Sequence, residues 1–300
     1  METGAIDRGQ REDSCGNINC VILNYNDADT TEKLVGQIRG YRCFRQIVIV
    51  DNASTDDSLQ RLEKLADKRI TVLRADRNGG YGAGNNLGVR YAALRNHAAY
   101  VVIANPDVSF EESCVTGLAR VLKRHPEAGV AAALMENGDA DCAWRHYGFW
   151  GQLLFMGPVS RRVFKPFLCY PRRYFRGKKA VWVDSVHGSM LMVDAAAFLE
   201  CGGYDEGIFL YQEEMVLADR MKTIGRRTAL VPSLSYRHDH SVSVSKTFED
   251  ELARQRLRET SVLYYMKHYL CVNRLEECLA RLWFWGIRFE VRAVRWILSR

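Results

Sequence analysis

Four short apolar runs in the first half of the chain each precede a stretch of helical period, and this alternation leaves few architectures open. Residues 19–25 (NCVILNY), 46–50, 70–73 and 100–104 (YVVIA) read as strands. Residues 27–40, 55–66, 85–96 and 111–125 read as helices. In the first, Leu34, Val35 and Ile38 share a face and Gly40 stands where a C-cap belongs. Ser54, three residues before Asp57, suggests a capping box opening the second. Successive β-α units build a parallel sheet covered on both faces, because each crossover must return over the sheet. At 300 residues and 47% hydrophobic, the chain can close such a core within one domain.

Sheets of this kind bind ligands beyond the carboxyl ends of their strands. The residues there are Asn24 and Tyr25, Asp51 and Asn52, residues 76–84, and Asn105-Pro106-Asp107. Asp51 suits hydrogen bonds from a nucleoside base or ribose, while Asn52 equally suits an Asx-turn before the next helix. The stretch RNGGYGAGNN, residues 77–86, lets backbone amides approach a ligand. It lacks the Gly-Lys-Ser/Thr of a nucleotide-triphosphate loop, and its position after the third strand is wrong for a dinucleotide fingerprint. In Asn105-Pro106-Asp107 the proline fixes the backbone between two polar residues. A carboxylate there fits a hard divalent cation shared with a diphosphate, and the same tripeptide also makes an ordinary turn.

In the second half, residues 188–193 (GSMLMV) read as a buried strand entered by a tight turn. Glu213-Glu214 opens a helix, where two acids either serve as general base and neighbour or offset the helix dipole. His238 lies about two dozen residues further on, with His240 competing for the same role; either suits a metal ligand or a surface residue.

The excess of 42 Lys and Arg over 36 Asp and Glu is mild, and its distribution matters more. Residues 137–179 interleave aromatics such as Trp144, Trp150 and Phe167 with Arg161, Arg162 and Lys165. That pattern suits a lid over a donor or lipid-diphosphate acceptor, or a membrane-facing patch. No nucleic-acid fold pattern accompanies it. From Arg274 onward the period is helical, and Arg274, Arg281, Arg288, Arg292 and Arg295 fall within roughly 60° beside a Trp-rich face. This reads as an interfacial helix on anionic lipid, as an oligomer contact, or as a terminal helix packed on the core. Mean hydropathy is -0.23 and no apolar run is long enough to span a bilayer. Nine scattered cysteines without a C-x-x-C pair read as reduced thiols, and the polar opening residues 1–17 as a disordered leader.

Taken in order, VILNYN, VDNASTDDS, RNGGYGAGNN, ANPDV and GSMLMVDAAAFLECGGYDEGIFLYQEE resemble the family 2 glycosyltransferases, in the branch of bacterial rhamnosyltransferases of surface-polysaccharide assembly. The resemblance covers roughly residues 18–270. It implies an α/β chain with the GT-A nucleotide-diphospho-sugar transferase fold, a Rossmann-like, mostly parallel sheet flanked by helices, with a C-terminal helical extension. The expected plan is a catalytic domain over 18–248, with donor half 18–135, insertion 136–179 and acceptor half 180–248. An amphipathic, membrane-associating segment over 249–300 follows it. The activity implied is inverting, metal-dependent transfer of rhamnose or another hexose from a dTDP- or UDP-sugar. The acceptor would be lipid-linked or a glycan, at the cytoplasmic face of the cell membrane. By the same resemblance Asp51 is the base- or ribose-binding acid, and Asn24, Tyr25, Asn52, Asn78, Gly79, Asn85 and Asn105 complete the donor site. Asp107 and His238 hold Mg or Mn, Glu214 is the base and Glu213 its supporting neighbour. The chain departs from the pattern with Asn at 105, Glu at 214 and Val216 where a further acid is usual. Those changes leave open a sugar-nucleotide-binding scaffold without turnover. A nucleotidyltransferase shares the core sheet but should carry an N-terminal G-x-G-x-R loop, which is lacking.

Overall fold

The computed structural model describes residues 17–136, 143–239 and 251–298. The leader up to residue 16, His240 and Cys142 lie outside them, whereas Asn17 is held by bonds from its Nδ2 to the carbonyls of Asn96 and His97.

The alternation read in the first half is present as β1 (Ile18–Asn24), α1 (Ala28–Ile38), β2 (Phe44–Asp51), α2 (Ser58–Glu63), β3 (Ile70–Arg74), α3 (Gly80–Leu94), β4 (Tyr100–Ala104), β5 (Val108–Phe110), α4 (Glu112–Arg124) and β6 (Ala128–Met135). There follow β7 (Ala143–Trp144), α5 (Phe149–Met156), α6 (Pro158–Leu168), α7 (Arg172–Phe175), β8 (Val181–Val183), β9 (Ser185–Val186), β10 (Met190–Asp194), α8 (Ala195–Glu200), α9 (Glu213–Thr223) and β11 (Arg227–His238). The chain closes with α10 (Glu251–His268) and α11 (Arg274–Leu298).

The main sheet runs β3-β2-β1-β4-β10-β6-β11-β5, with β8 also on β11, and β7 and β9 form a separate pair. Strands β1 to β4 are parallel, as their rhythm predicts. Beyond them the sheet is mixed: β10 is antiparallel to both β4 and β6, so the second half is not a continuation of β-α units. The β1/β2 register sets Asn24 opposite Asp51, which places two strand-end polar residues side by side. Two apolar clusters cover the sheet faces; Ile22, Ile49 and Val102 point to one, Val21, Val50 and Ile103 to the other, following the two-residue strand period. β11 is long because Pro232 falls in an irregularity between Val231 and Ser235, where a residue without N–H costs no ladder bond.

Two local expectations are corrected. The glycine-rich stretch is not a loop up to Asn85: helix begins at Gly80. Glycine's poor helix propensity hides this, but the small residues let α3 settle on the sheet, since a Cβ at Gly84 would lie within overlap of Leu23. The second helix is shorter than read and Ser54 does not cap it. Its hydroxyl instead accepts from the Asn26 amide at 3.0 Å and from Asn24 Nδ2 at 3.2 Å.

The insertion folds as helices rather than an open loop. Tyr147, Tyr170 and Phe175 are buried, while Trp150 and Phe167 stay exposed. None of the seven described cysteines is in a disulfide, and among the described residues no helix is long and apolar enough to cross a membrane.

Candidate active site

The expected donor residues converge at the carboxyl ends of β1 and β2. Asp51 is enclosed, and both of its oxygens accept: Oδ2 from Asn24 Nδ2 at 3.0 Å, Oδ1 from the Ser54 amide at 3.0 Å. Asn24 is itself held by Thr31, whose hydroxyl donates to Asn24 Oδ1 at 2.9 Å. Asn52 donates to Asn78 Oδ1 at 2.9 Å and to the Gly80 carbonyl at 3.1 Å, pinning the start of α3 against β2. Asn85, inside the helix, donates back to the Tyr81 carbonyl. Asn24, Asn52 and Asn85 therefore face protein, and the Asx-type turn belongs to Asp51 rather than Asn52. Tyr25, Asn78, Gly79 and Asn105 keep partial exposure.

The residues expected to hold the metal and to act as base lie around a second point, organised by the short segment His187-Gly188-Ser189. Because β10 lies beside β4, the Asn105 amide donates to the Ser189 carbonyl at 2.8 Å. The Gly188 amide donates to Glu214 Oε1 at 3.1 Å, and the Tyr81 hydroxyl donates to the Gly188 carbonyl at 2.7 Å. The Ser189 and Tyr236 hydroxyls bond at 2.7 Å. Antiparallel pairing of β11 with β5 aligns His238 with Val108, and His238 Nε2 comes to 3.1 Å from Asp107 Oδ1. The His187 ring centroid lies 5.6 Å from that of His238 and 5.8 Å from that of Trp144. Asn105 and Glu214 are thus both bonded to the segment 188–189, and the Asp107–His238 pair adjoins it through the His187 ring.

Glu213 and Glu214 start α9 after Tyr211 and Gln212, both left-handed at φ 73° and 74°. Two non-glycine residues in that region are costly and persist only where the surroundings hold them. Here the Tyr81 amide donates to the Phe209 carbonyl at 2.9 Å and the Ser261 hydroxyl to the Leu210 carbonyl at 2.6 Å. Glu213 is buried, and its Oε1 has no hydrogen-bond partner. Burial, and then the charge of Glu214, push its carboxyl up to about 8. Burial raises Glu214 as well, against the pull of the Gly188 amide. Tyr81 and Tyr204 are pushed up by burial, so both phenols stay protonated.

Sequence reading did not single out His187, Ser189 or Tyr81, and placed Trp144 only among the aromatics of the insertion. An aromatic set among glycines was a usable signal for Tyr81, and a histidine directly before the Gly-Ser turn was one for His187. Their significance depends on β10 lying beside β4, which no local pattern announces.

Among the described residues no cluster of three or more His, Cys, Asp or Glu side chains could cage a metal by itself. The Asp107–His238 pair does fit a divalent ion that draws its remaining ligands from substrate. Its 3.1 Å separation matches that of adjacent ligands on a Mg-sized octahedral ion, about 3.0 Å for bonds of about 2.1 Å.

A mixed sheet flanked by helices, whose parallel strands end in a cluster of polar residues, has the architecture of the GT-A class of glycosyltransferase folds. In agreement, the chain superposes on a mannosyltransferase from Pyrobaculum calidifontis, solved in complex with GDP-Man and Mn2+, with TM-score 0.60 over 96% of this chain and 76% of that one at 15% identity. Residues 20–198 match glycosyl transferase family 2, and the chain belongs to that family. It is 27% identical over 219 residues, 69% of this chain and 70% of the other, to an N-acetylglucosaminyl-diphospho-decaprenol L-rhamnosyltransferase of Mycobacterium tuberculosis. It is 24% identical over 244 residues, 76% of this chain and 87% of the other, to rhamnosyltransferase WbbL of Escherichia coli.

Proposed function

We propose that the protein is an inverting, metal-dependent glycosyltransferase. It moves rhamnose or another hexose from a dTDP- or UDP-sugar to a lipid-linked or polysaccharide acceptor. It works at the inner face of the cell membrane, held peripherally through its C-terminal helix. The observation that carries this reading is the position of Glu214, fixed on the Gly188 amide next to His187, whose ring lies 5.6 Å from that of His238, the partner of Asp107. The rhamnosyltransferase relatives support the choice of sugar, and the lipid-diphosphate acceptor named for one of them supports the acceptor class.

In this reading Tyr25, Asn78, Gly79 and Asn105 receive the nucleotide, with Asp51, whose oxygens already accept from Asn24 and Ser54, reaching it through a further lone pair, while Asn24, Asn52 and Asn85 keep that frame in place. Asp107 and His238 would hold Mg or Mn, which when bound offsets the charge growing on the leaving diphosphate. The Gly188 amide occupies Glu214 Oε1, so Oε2 is left to receive the acceptor hydroxyl's proton. As that proton moves, the acceptor oxygen bonds to the anomeric carbon and the bond to the diphosphate breaks, which inverts the centre. A carboxylate raised toward neutrality is a better base than an ordinary one. Glu213 beside it, kept uncharged by burial, avoids a second negative charge next to the base.

The scaffold reading is motivated by Val216 and by Glu in place of Asp at 214. Val216 is fully buried against Ile208, Met215 and Tyr265, so its side chain faces the core and not the cleft. That placement favours the enzyme.

The deciding experiment is a thermal-shift panel of nucleoside diphosphates with and without Mn, followed by donor turnover. Stabilisation by one base that needs Mn and is lost in Asp107→Ala supports the reading. Absence of metal-dependent turnover with every donor tried would overturn it.

A further inference from the structure

Helices α5 and α6 lie against α11, and between them runs an apolar groove of about 620 Å³, within the range of small-molecule sites. Leu153, Val163 and Phe164 form one side, and Leu282, Trp283 and Ile287 the other. The walls are fixed in place. Trp283 Nε1 donates to the Leu153 carbonyl at 2.9 Å, and Glu290 Oε1 accepts from the Val159 amide at 2.6 Å at the start of α6. Beneath them Leu153, Val262, Met266, Ala280 and Phe284 close a small core.

Gly286 stands mid-helix in the groove wall, where an added Cβ would meet nothing within 4 Å. Glycine inside a helix is destabilising relative to alanine, and here neither a positive φ nor a close approach calls for it. What it supplies is open volume.

The surroundings are amphipathic. Trp150, Val159 and Leu279 line the groove and are exposed, and Phe167, Trp285 and Phe289 are exposed on the same helices, together a larger apolar display than scattered surface residues make. On α11 the exposed Leu275, Leu279, Leu282, Phe289 and Trp296 span roughly 100° of helix face, bordered by Arg274, Arg281, Arg288 and Arg292. Arg161 and Arg162 are exposed on α6. The nearby carboxylates are engaged, Glu290 by α6, Glu277 by Lys267 and Arg281, and Glu259 by Arg288. A positive border beside an open apolar face complements an anionic bilayer.

We propose that α5, α6 and α11 together form a seat on an anionic membrane, with one lipid acyl chain entering the groove beside Gly286. This goes beyond adhesion of the C-terminal helix alone, and rests on the function proposed above only for its purpose.

The test uses the full chain with phosphatidylcholine vesicles, with and without phosphatidylglycerol, whose acyl chains carry bromine to quench tryptophan. The protein should sediment with the anionic vesicles and not with the neutral ones, with strong quenching. Gly286→Leu should melt no lower than wild type and keep vesicle binding, yet lose most of the quenching. Arg162→Glu with Arg292→Glu should weaken binding about tenfold or more. The proposal is overturned if wild type ignores anionic vesicles, if Gly286→Leu quenches like wild type, or if the face is closed by a second copy in a dimer that Leu282→Glu dissociates. Donor hydrolysis in the same preparations, which needs no lipid, shows separately whether the catalytic reading stands.

Discussion

His238 Nε2 lies 3.1 Å from Asp107 Oδ1, and the two residues are 131 positions apart in the chain. Both are nearly enclosed, and the Asp239 amide donates to the Asp107 carbonyl at 2.9 Å, so backbone and side chain meet at the same place. The pairing of β11 with β5 carries His238 there. Asp107→Asn keeps the shape and removes the charge that would bind a cation. Stabilisation by Mn with nucleoside diphosphate should disappear, and donor turnover should fall at least about a hundredfold. The melting temperature without ligand should change little. Calorimetry and a turnover assay on one preparation check both halves.

Glu214 and Glu213 should separate kinetically. Glu214→Gln removes the proton acceptor while keeping a group that can accept from Gly188, so kcat should fall by about 10²–10⁴ with donor affinity retained. Glu213→Gln replaces a carboxyl that burial already keeps protonated, and should cost far less. Equal losses in the two variants would reverse the assignment.

Stability should fall as pH rises across the neutral range. Glu213 in the folded chain ionises only near 8, whereas unfolded it ionises near its ordinary value of 4.5. Between those values the unfolded chain holds fewer protons, so this group's contribution is fully present below 4.5 and is lost as pH approaches 8. The slope for one group is at most about 1.4 kcal/mol per pH unit. Denaturant midpoints at acid and alkaline pH should differ less in Glu213→Gln than in wild type.

Asn86 clamps the loop that follows α8. Its Oδ1 accepts from the Tyr204 amide at 2.9 Å and its Nδ2 donates to the Tyr204 carbonyl at 3.0 Å, with all three groups buried. Asn86→Ala leaves both backbone groups unpaired and should cost about 2–4 kcal/mol. Urea titration measures it. Because the same loop leads to Tyr211 and Gln212, activity should fall under conditions where the variant is still folded.

Much of the donor half was legible because its signals are local. The runs at β1 to β4 are β-branched and apolar, the helices between them repeat their apolar residues on one face, and the polar residues that end those strands are where an open sheet binds ligands. Asp51 and Asp107 could be picked out on that ground, and Asn78 only by the resemblance. The start of α3 was not legible, because four glycines in ten residues argue for a loop until the close approach of Gly84 to Leu23 is seen. Nor was Ser54, whose capping pattern is satisfied instead by Asn24 and Asn26 across the loop.

The sequence by itself determined the parallel half of the sheet, the acids at its strand ends and the two-faced C-terminal helix, since each is written in residues a few positions apart. Only the tertiary structure decided that β10 runs antiparallel beside β4. That places His187, Gly188 and Ser189 against Asn105, Glu214 and Tyr81. It likewise decided that β11 returns His238 to Asp107, that Glu213 is buried beside a second acid, and that α11 meets α5 and α6 around Gly286. These depend on pairings between distant segments, whose free energy comes from burying surfaces that no local pattern identifies.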